Sequence, residues 1–159
     1  MVKMFSSQDL IEMAIHIEEE GEKFYELMGS KVEDEELKKL FSYLALEEKR
    51  HALAFKEIYS RLENEGFVSA YPDQEANKYL HAFVDSQIFI DWDKLSTRTV
   101  WSLSEVLDLA ISLEKDSILF YYEMEKYIPE KDKNILYEII KQEKMHLSQL
   151  TEFKKGIKN

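Results

Sequence analysis

The sequence predicts an all-α fold: a four-helix bundle made of two repeated helical hairpins, joined by a long, partly helical crossover. Three observations predict it. Breakers are scarce, with four glycines and two prolines in 159 residues, so long helices are the natural reading. Apolar residues recur at helical spacing over four separate stretches. The second pair of stretches then repeats the first, displaced by 96 residues in one helix and 95 in the other.

The first helix is read from about Ser7 to Gly29, with Leu10, Ile11, Ala14, Glu18, Gly21, Tyr25 and Met28 on one stripe. A polar turn, SKVEDE, follows. The second helix runs to about Asn64, with Gly66 as its C-terminal stop and Leu37, Phe41, Leu44, Glu48, His51, Phe55 and Ile58 facing inward. The crossover, residues 66–101, opens GFVSAYPDQ, holds one helix in EANKYLHAFVDSQIF, and continues as a less regular IDWDKLSTRTV. So long a connection is expected to travel the length of the bundle. Ser102 and Glu105 form a capping box for the third helix, which ends near Tyr127 and carries Leu107, Ala110, Glu114, Ser117, Tyr121 and Met124. Pro129 suits the first turn of the fourth, with Ile135, Ile139, Glu143, His146, Leu150 and Phe153 inward and Gly156 at its end. The expectation is a single domain over 1–159, with hairpins at 7–64 and 103–155.

Composition narrows the function. A formal net charge of −11 argues against a nucleic-acid or anionic-membrane partner. The absence of cysteine excludes disulfides, iron–sulfur clusters and thiolate metal sites within this sequence. MVKMFSSQDL has no apolar run like that of a signal peptide, and no stretch approaches the roughly 20 apolar residues of a membrane span, so a cytoplasmic protein is expected.

The repeat singles out the chemistry. Shifted by 96, Ile11, Ala14, Glu18, Gly21, Tyr25 and Met28 become Leu107, Ala110, Glu114, Ser117, Tyr121 and Met124. Shifted by 95, Glu48 and His51 become Glu143 and His146, so two of the four histidines lie in a Glu-x-x-His on a core stripe. The midpoint of Glu18 and Glu48 is residue 33, inside the first turn; that of Glu114 and Glu143 falls between Ile128 and Pro129. Residues equidistant from the turn of an antiparallel pair lie side by side, here roughly 20 Å from it at about 1.5 Å per residue. All six polar groups are then expected at one depth.

Four carboxylates and two imidazoles inside an apolar bundle cost several kcal/mol each if left bare. Two divalent cations balance four carboxylates and leave the histidines neutral. One Glu from each of two helices and Glu-x-x-His from the other two is a di-metal carboxylate pattern. Mixed carboxylate and imidazole ligation suits iron or manganese, and zinc is possible.

EEEGEKFYELM with LEEKRH, and LEKDSILFYYEM with KQEKMH, resemble the ferritin-like di-iron carboxylate proteins, specifically the rubrerythrin family. The resemblance implies two iron ions held by Glu18, Glu48, His51, Glu114, Glu143 and His146. It also implies that Tyr25 and either Tyr121 or Tyr122 hydrogen-bond to the helix-one and helix-three glutamates. The activity it implies is a di-iron oxidoreductase reacting with hydrogen peroxide or dioxygen in oxidative-stress defence, in a homodimer. Typical relatives add a rubredoxin domain, which this sequence does not contain, so an external electron donor such as a separate rubredoxin is expected. They also carry a further glutamate where this chain has Ser117, and the six-ligand set is as similar to that of bacterioferritin. Ferroxidase-type iron binding or storage, and a structural bundle without redox chemistry, stay open. Small residues at 14, 21, 110 and 117 are expected to leave room for the oxidant beside the metals.

Four further readings concern histidines, a charged run and the crossover. His16 is expected to be solvated, His81 to be a packing or surface residue and not an extra ligand, and the EEEGE run to be an exposed face. Phe83, Val84, Ile88, Phe89, Ile90 and Trp92 are expected to cover the bundle or meet a second copy.

Overall fold

The computed structural model describes residues 4–66, 74–85 and 90–157. Six α-helices occur among them: α1 (Ser7–Lys31), α2 (Glu35–Glu65), α3 (Gln74–Asp85), α4 (Trp92–Thr97), α5 (Leu103–Met124) and α6 (Lys133–Lys155). α1 packs along α2 and α5 along α6, and the two hairpins meet through α1 against α5 and α2 against α6. No strand occurs among the described residues.

Local signals fix the helix ends. Ser6 and Asp9 form a capping box on α1, and Ser102 and Glu105 form one on α5. Asp34 caps α2 by accepting from the Leu37 N–H at 2.9 Å. At the other end of α2, Gly66 takes φ 98°, a left-handed value that a side chain would resist, and its N–H closes on the Leu62 carbonyl at 2.8 Å. Two boundaries differ from the sequence reading. α1 runs through Gly29 to Lys31, leaving only 32–34 as the turn. Pro129 precedes a 3₁₀ turn, Glu130–Asp132, and α6 starts at Lys133, so the proline stands a turn ahead of the helix. Within α6, Ile135 is exposed and Leu136 is buried, because the inward stripe is set by Leu136, Ile139, Ile140 and Glu143.

The apolar core is split in two. One part gathers Leu10, Ile11 and Ala14 of α1 with Phe55 and Ile58 of α2, Phe120 and Tyr121 of α5, and Leu136 and Ile139 of α6. The other gathers Phe24, Tyr25 and Met28 with Phe41 and Leu44, Leu107 and Ala110, and Leu150. Residues 18, 48, 114 and 143 fall between the two groups on their helices, so a polar layer crosses the bundle at mid-height. The crossover spans this layer: Leu80 of α3 is buried in the first part and Leu95 of α4 in the second. Phe83, Val84, Ile90 and Trp92 pack onto the bundle, whereas Ile88 and Phe89 lie outside the described residues. His81 stacks on Phe5 with ring centroids 4.4 Å apart, as packing requires.

Candidate metal centre

Glu18, Glu48, His51, Glu114, Glu143 and His146 are all buried. The structure brings them together in two overlapping groups: Glu18, Glu48, His51 and Glu143, and Glu48, Glu114, Glu143 and His146. Within each group one potential ligand atom per residue lies within 4.8 Å of every other. Glu48 and Glu143 belong to both groups, while Glu18 with His51 completes one and Glu114 with His146 completes the other. The hairpin arithmetic explains this depth, since each glutamate pair is equidistant from its turn.

Backbone close approach makes the layer possible at Gly21. A Cβ there would meet Glu48 Oε2 at 2.9 Å, so the glutamate lies directly against the α1 backbone. Its repeat mate Ser117 is buried and donates to the Leu113 carbonyl at 2.9 Å, back-bonded onto its own helix.

Two tyrosines bind the hairpins together. Tyr25 of α1 donates its hydroxyl to Glu114 Oε1 of α5, and Tyr121 of α5 donates to Glu18 Oε1 of α1. Both phenols are raised well above their ordinary pKa, first by burial and then by the adjacent carboxylates, so they remain protonated donors. Tyr122 is not at the cluster. It is 41 % exposed and contacts Lys144, because one residue along a helix turns the side chain about 100° away from its neighbour.

One partner escaped the sequence reading. His51 Nε2 lies 2.7 Å from Gln142 Oε1, a carbonyl oxygen that can only accept, so Nε2 carries a proton and Nδ1 faces the carboxylates. His51 Nδ1 is 2.8 Å from Glu143 Oε1 and 3.4 Å from Glu18 Oε2, yet it makes no well-directed hydrogen bond. Gln142 is the repeat mate of Glu47, whose carboxylate is instead held by Arg50, while His146 Nε2 is buried without a partner. That correspondence was the available signal. Glu20 also departs from expectation: in the EEEGE run, read as an exposed face, it accepts from the Ile90 N–H and the Trp92 indole N–H, each at 2.8 Å. His16 is solvated, with its side chain 54 % exposed.

The donor set fits divalent metal ions. Glu18 Oε2, Glu48 Oε1, Glu114 Oε2, Glu143 Oε1 and His51 Nδ1 are buried without a hydrogen-bond partner. Buried polar atoms are seldom left so, and five in one layer form a donor set suited to a shared cation. The metal-free cluster compensates with protons. Burial, then mutual repulsion, raises Glu18, Glu48 and Glu143 above the usual carboxylate range. Burial pushes the His51 imidazole down, but the facing Glu143 and Glu18 carboxylates outweigh it and bring it up to about 12. His146 is raised in the same way by Glu114, Glu143 and Glu48.

A pH dependence follows. Groups raised on folding contribute stability below their unfolded values, 4.5 for Glu and 6.5 for His, and lose it as pH climbs toward the folded values. Thermal unfolding of the metal-free protein is therefore expected to shift downward from about pH 6 to about pH 9. The metal-loaded protein should show the opposite trend over that window, because metal binding displaces those protons. Parallel trends in the two forms would contradict the protonated metal-free cluster.

Comparison with known proteins finds similarity over most of the chain. The family model described as Rubrerythrin matches residues 9–154. A crystal structure from Thermotoga maritima, described as a ferritin-like diiron-carboxylate protein and determined at 2.30 Å, superposes with a TM-score of 0.76. It shares 32% sequence identity and is covered over 97% of its chain by 96% of this one. Nothing among the curated proteins matches. With the family match running over both hairpins, the chain belongs to the rubrerythrin family.

Proposed function

We propose that the chain is a di-iron carboxylate oxidoreductase of rubrerythrin type that reacts with hydrogen peroxide or dioxygen. The observation that carries the reading is the buried layer of four carboxylates and two imidazoles, with their unpaired atoms turned inward. In this reading Glu18 and His51 would hold one iron, Glu114 and His146 would hold the other, and Glu48 and Glu143, common to both donor groups, could serve either. When bound, two ferrous ions supply one electron each to the oxidant. Gln142 keeps His51 in the tautomer that offers Nδ1, and Tyr25 and Tyr121 fix Glu114 and Glu18 while holding protons beside the layer. The family resemblance supports iron over manganese or zinc, an external electron donor such as a separate rubredoxin, and a homodimer.

A small cavity beside the layer supports a small oxidant. It has a volume of about 20 Å³, room for about one water molecule, and Gly21, Tyr25, Glu48, Glu114 and Ser117 form its inner wall. Leucine at Gly21 would displace Glu48 itself, so Ser117→Leu is the cleaner block of this space.

The test is anaerobic loading with ferrous iron, followed by stopped-flow mixing with peroxide and, separately, dioxygen. Oxidation within seconds by either, slowed at least about tenfold by Ser117→Leu with metal content retained, is expected. A loaded protein inert to both oxidants would end the redox reading.

Ferroxidase-type iron storage is a second reading, favoured by one observation. The position of the additional rubrerythrin glutamate is Ser117, whose hydroxyl is committed to the Leu113 carbonyl, leaving six donors. Measurement of assembly mass separates the two: a cage of many subunits supports storage, a dimer supports the enzyme.

A further inference from the structure

A second and much larger space lies directly outside the small cavity. It is a surface groove of about 760 Å³ formed by α4, the 98–101 segment and the outer face of α5. The groove and the inner cavity share three lining residues, Ile90, Leu113 and Asp116. These three side chains are therefore the wall between solvent and the space beside Glu48 and Glu114. Leu113 and Asp116 are fixed on α5, one turn apart, flanking Glu114. Ile90 is different, since it comes from the crossover and belongs to no helix.

Ile90 is nevertheless held at two points. Its own N–H donates to Glu20 Oε2, and the Trp92 indole N–H donates to Glu20 Oε1, each at 2.8 Å. Both oxygens of one carboxylate thus tie this short stretch to α1. Lys23, one turn further along α1, places its Nζ over the Trp92 ring, 4.3 Å from its centre. Glu20 is only 14 % exposed at its side chain and sits next to Gly21, so the anchor and the inner wall are adjacent residues of one helix. Glu20 is partly buried, and His16 Nε2 on α1 lies 3.4 Å from its Oε1, so the same carboxylate also has a neighbour on its own helix.

We infer that Ile90, hung from Glu20, is the size filter of the buried site: it admits oxidants no larger than hydrogen peroxide or dioxygen and excludes alkyl hydroperoxides that the outer groove could otherwise hold. The inference rests on the redox reading for the identity of the oxidant, but the barrier is a property of the chain. The inner cavity accepts about one water-sized molecule, whereas the groove has room for a drug-sized one. Ile90 and its two α5 neighbours, Leu113 and Asp116, line both spaces.

The absence of cysteine allows a test that needs neither metal nor oxidant. Ser117→Cys puts one thiol on the inner wall, and Ser148→Cys puts one on the exposed face of α6 as a reference. Each full-length protein is labelled with methyl methanethiosulfonate, which is small, and with 2,2′-dithiodipyridine, which is neutral and bulky. Relative to the reference, the inner thiol should take the bulky reagent at least about tenfold more slowly than the small one. Adding Ile90→Ala should speed the bulky reagent by about tenfold and leave the small one within about twofold. Glu20→Gln, which removes no apolar side chain and keeps only part of the attachment, should act in the same direction. A bulky-reagent rate that neither substitution changes would overturn the filter, as would equal access of both reagents to the original pocket. With ferrous-loaded protein, the same two substitutions should accelerate oxidation by cumene hydroperoxide and not by hydrogen peroxide. A chain inert to every peroxide would defeat the redox reading while leaving the labelling result to decide the barrier.

Discussion

Glu143→Gln is expected to reduce metal binding from two ions per chain to at most one and to abolish reaction with the oxidant. Glu143 is completely buried and belongs to both donor groups, so its loss removes a ligand from each proposed position at once. Its amide replacement has nearly the same shape but no charge, which leaves two divalent ions facing three carboxylates. The metal-free protein should respond through its protons. Removing the carboxylate that faces both imidazoles is expected to lower their affinity for protons, so the downward shift of the unfolding midpoint with rising pH should be smaller than in the unsubstituted metal-free protein. Metal titration and thermal unfolding read the two effects separately. Tyr122→Phe, at a position 41 % exposed and away from the cluster, should change neither. A Glu143→Gln protein that still binds two ions would show that the shared carboxylate is not needed at both positions.

Metal loading itself is the second large effect. Ligands that bind only the folded state stabilise it, by about 4 kcal/mol per site when free metal exceeds the dissociation constant a thousandfold. Two sites then contribute about 8 kcal/mol, and at about 2–4 °C per kcal/mol the midpoint should rise by roughly 15–30 °C. The rise has a structural cause. Without ions the polar layer between the two apolar clusters relies on protons shared among its carboxylates and imidazoles, whereas ions would engage donors from all four helices directly. Differential scanning calorimetry with and without added ferrous or manganous ion measures it. A shift of only one or two degrees would mean that the layer does not bind metal tightly.

How much of this was legible in the sequence depended on how local the determinant was. The helices, the capping box at Ser102 and the stop at Gly66 follow from neighbouring residues, and each is present. The depth of Glu18 against Glu48 follows from one hairpin alone, because an antiparallel pair is a ruler read from its turn. The choice between Tyr121 and Tyr122 was also available, since Tyr121 is the repeat mate of Tyr25 and shares the stripe of Glu114. What could not be read was anything fixed by how the hairpins face each other. Gln142 reaches His51 across that boundary, and nothing in KQEKMH alone indicates an acceptor for another helix. Glu20 escaped for a similar reason: charged runs are usually solvated, and its donors, Ile90 and Trp92, lie 70 or more residues away in the crossover. The 3₁₀ turn before α6 reflects competition at the chain reversal, where buried Asp132 pairs with Arg61 of α2 and holds the start of α6 back.

The exchanged tyrosine bonds make each half of the protein dependent on the other. A hairpin cut free at the crossover would keep its own glutamates and histidine but lose the phenol that orients one of them. Two identical halves could restore that reciprocity by pairing with each other, as a twofold-symmetric assembly does. Joining them in one polypeptide removes the demand for identity, so Glu47 could diverge from Gln142 and Gly21 from Ser117. The present molecule thus has room for two metal positions of unequal character inside a nearly symmetric frame.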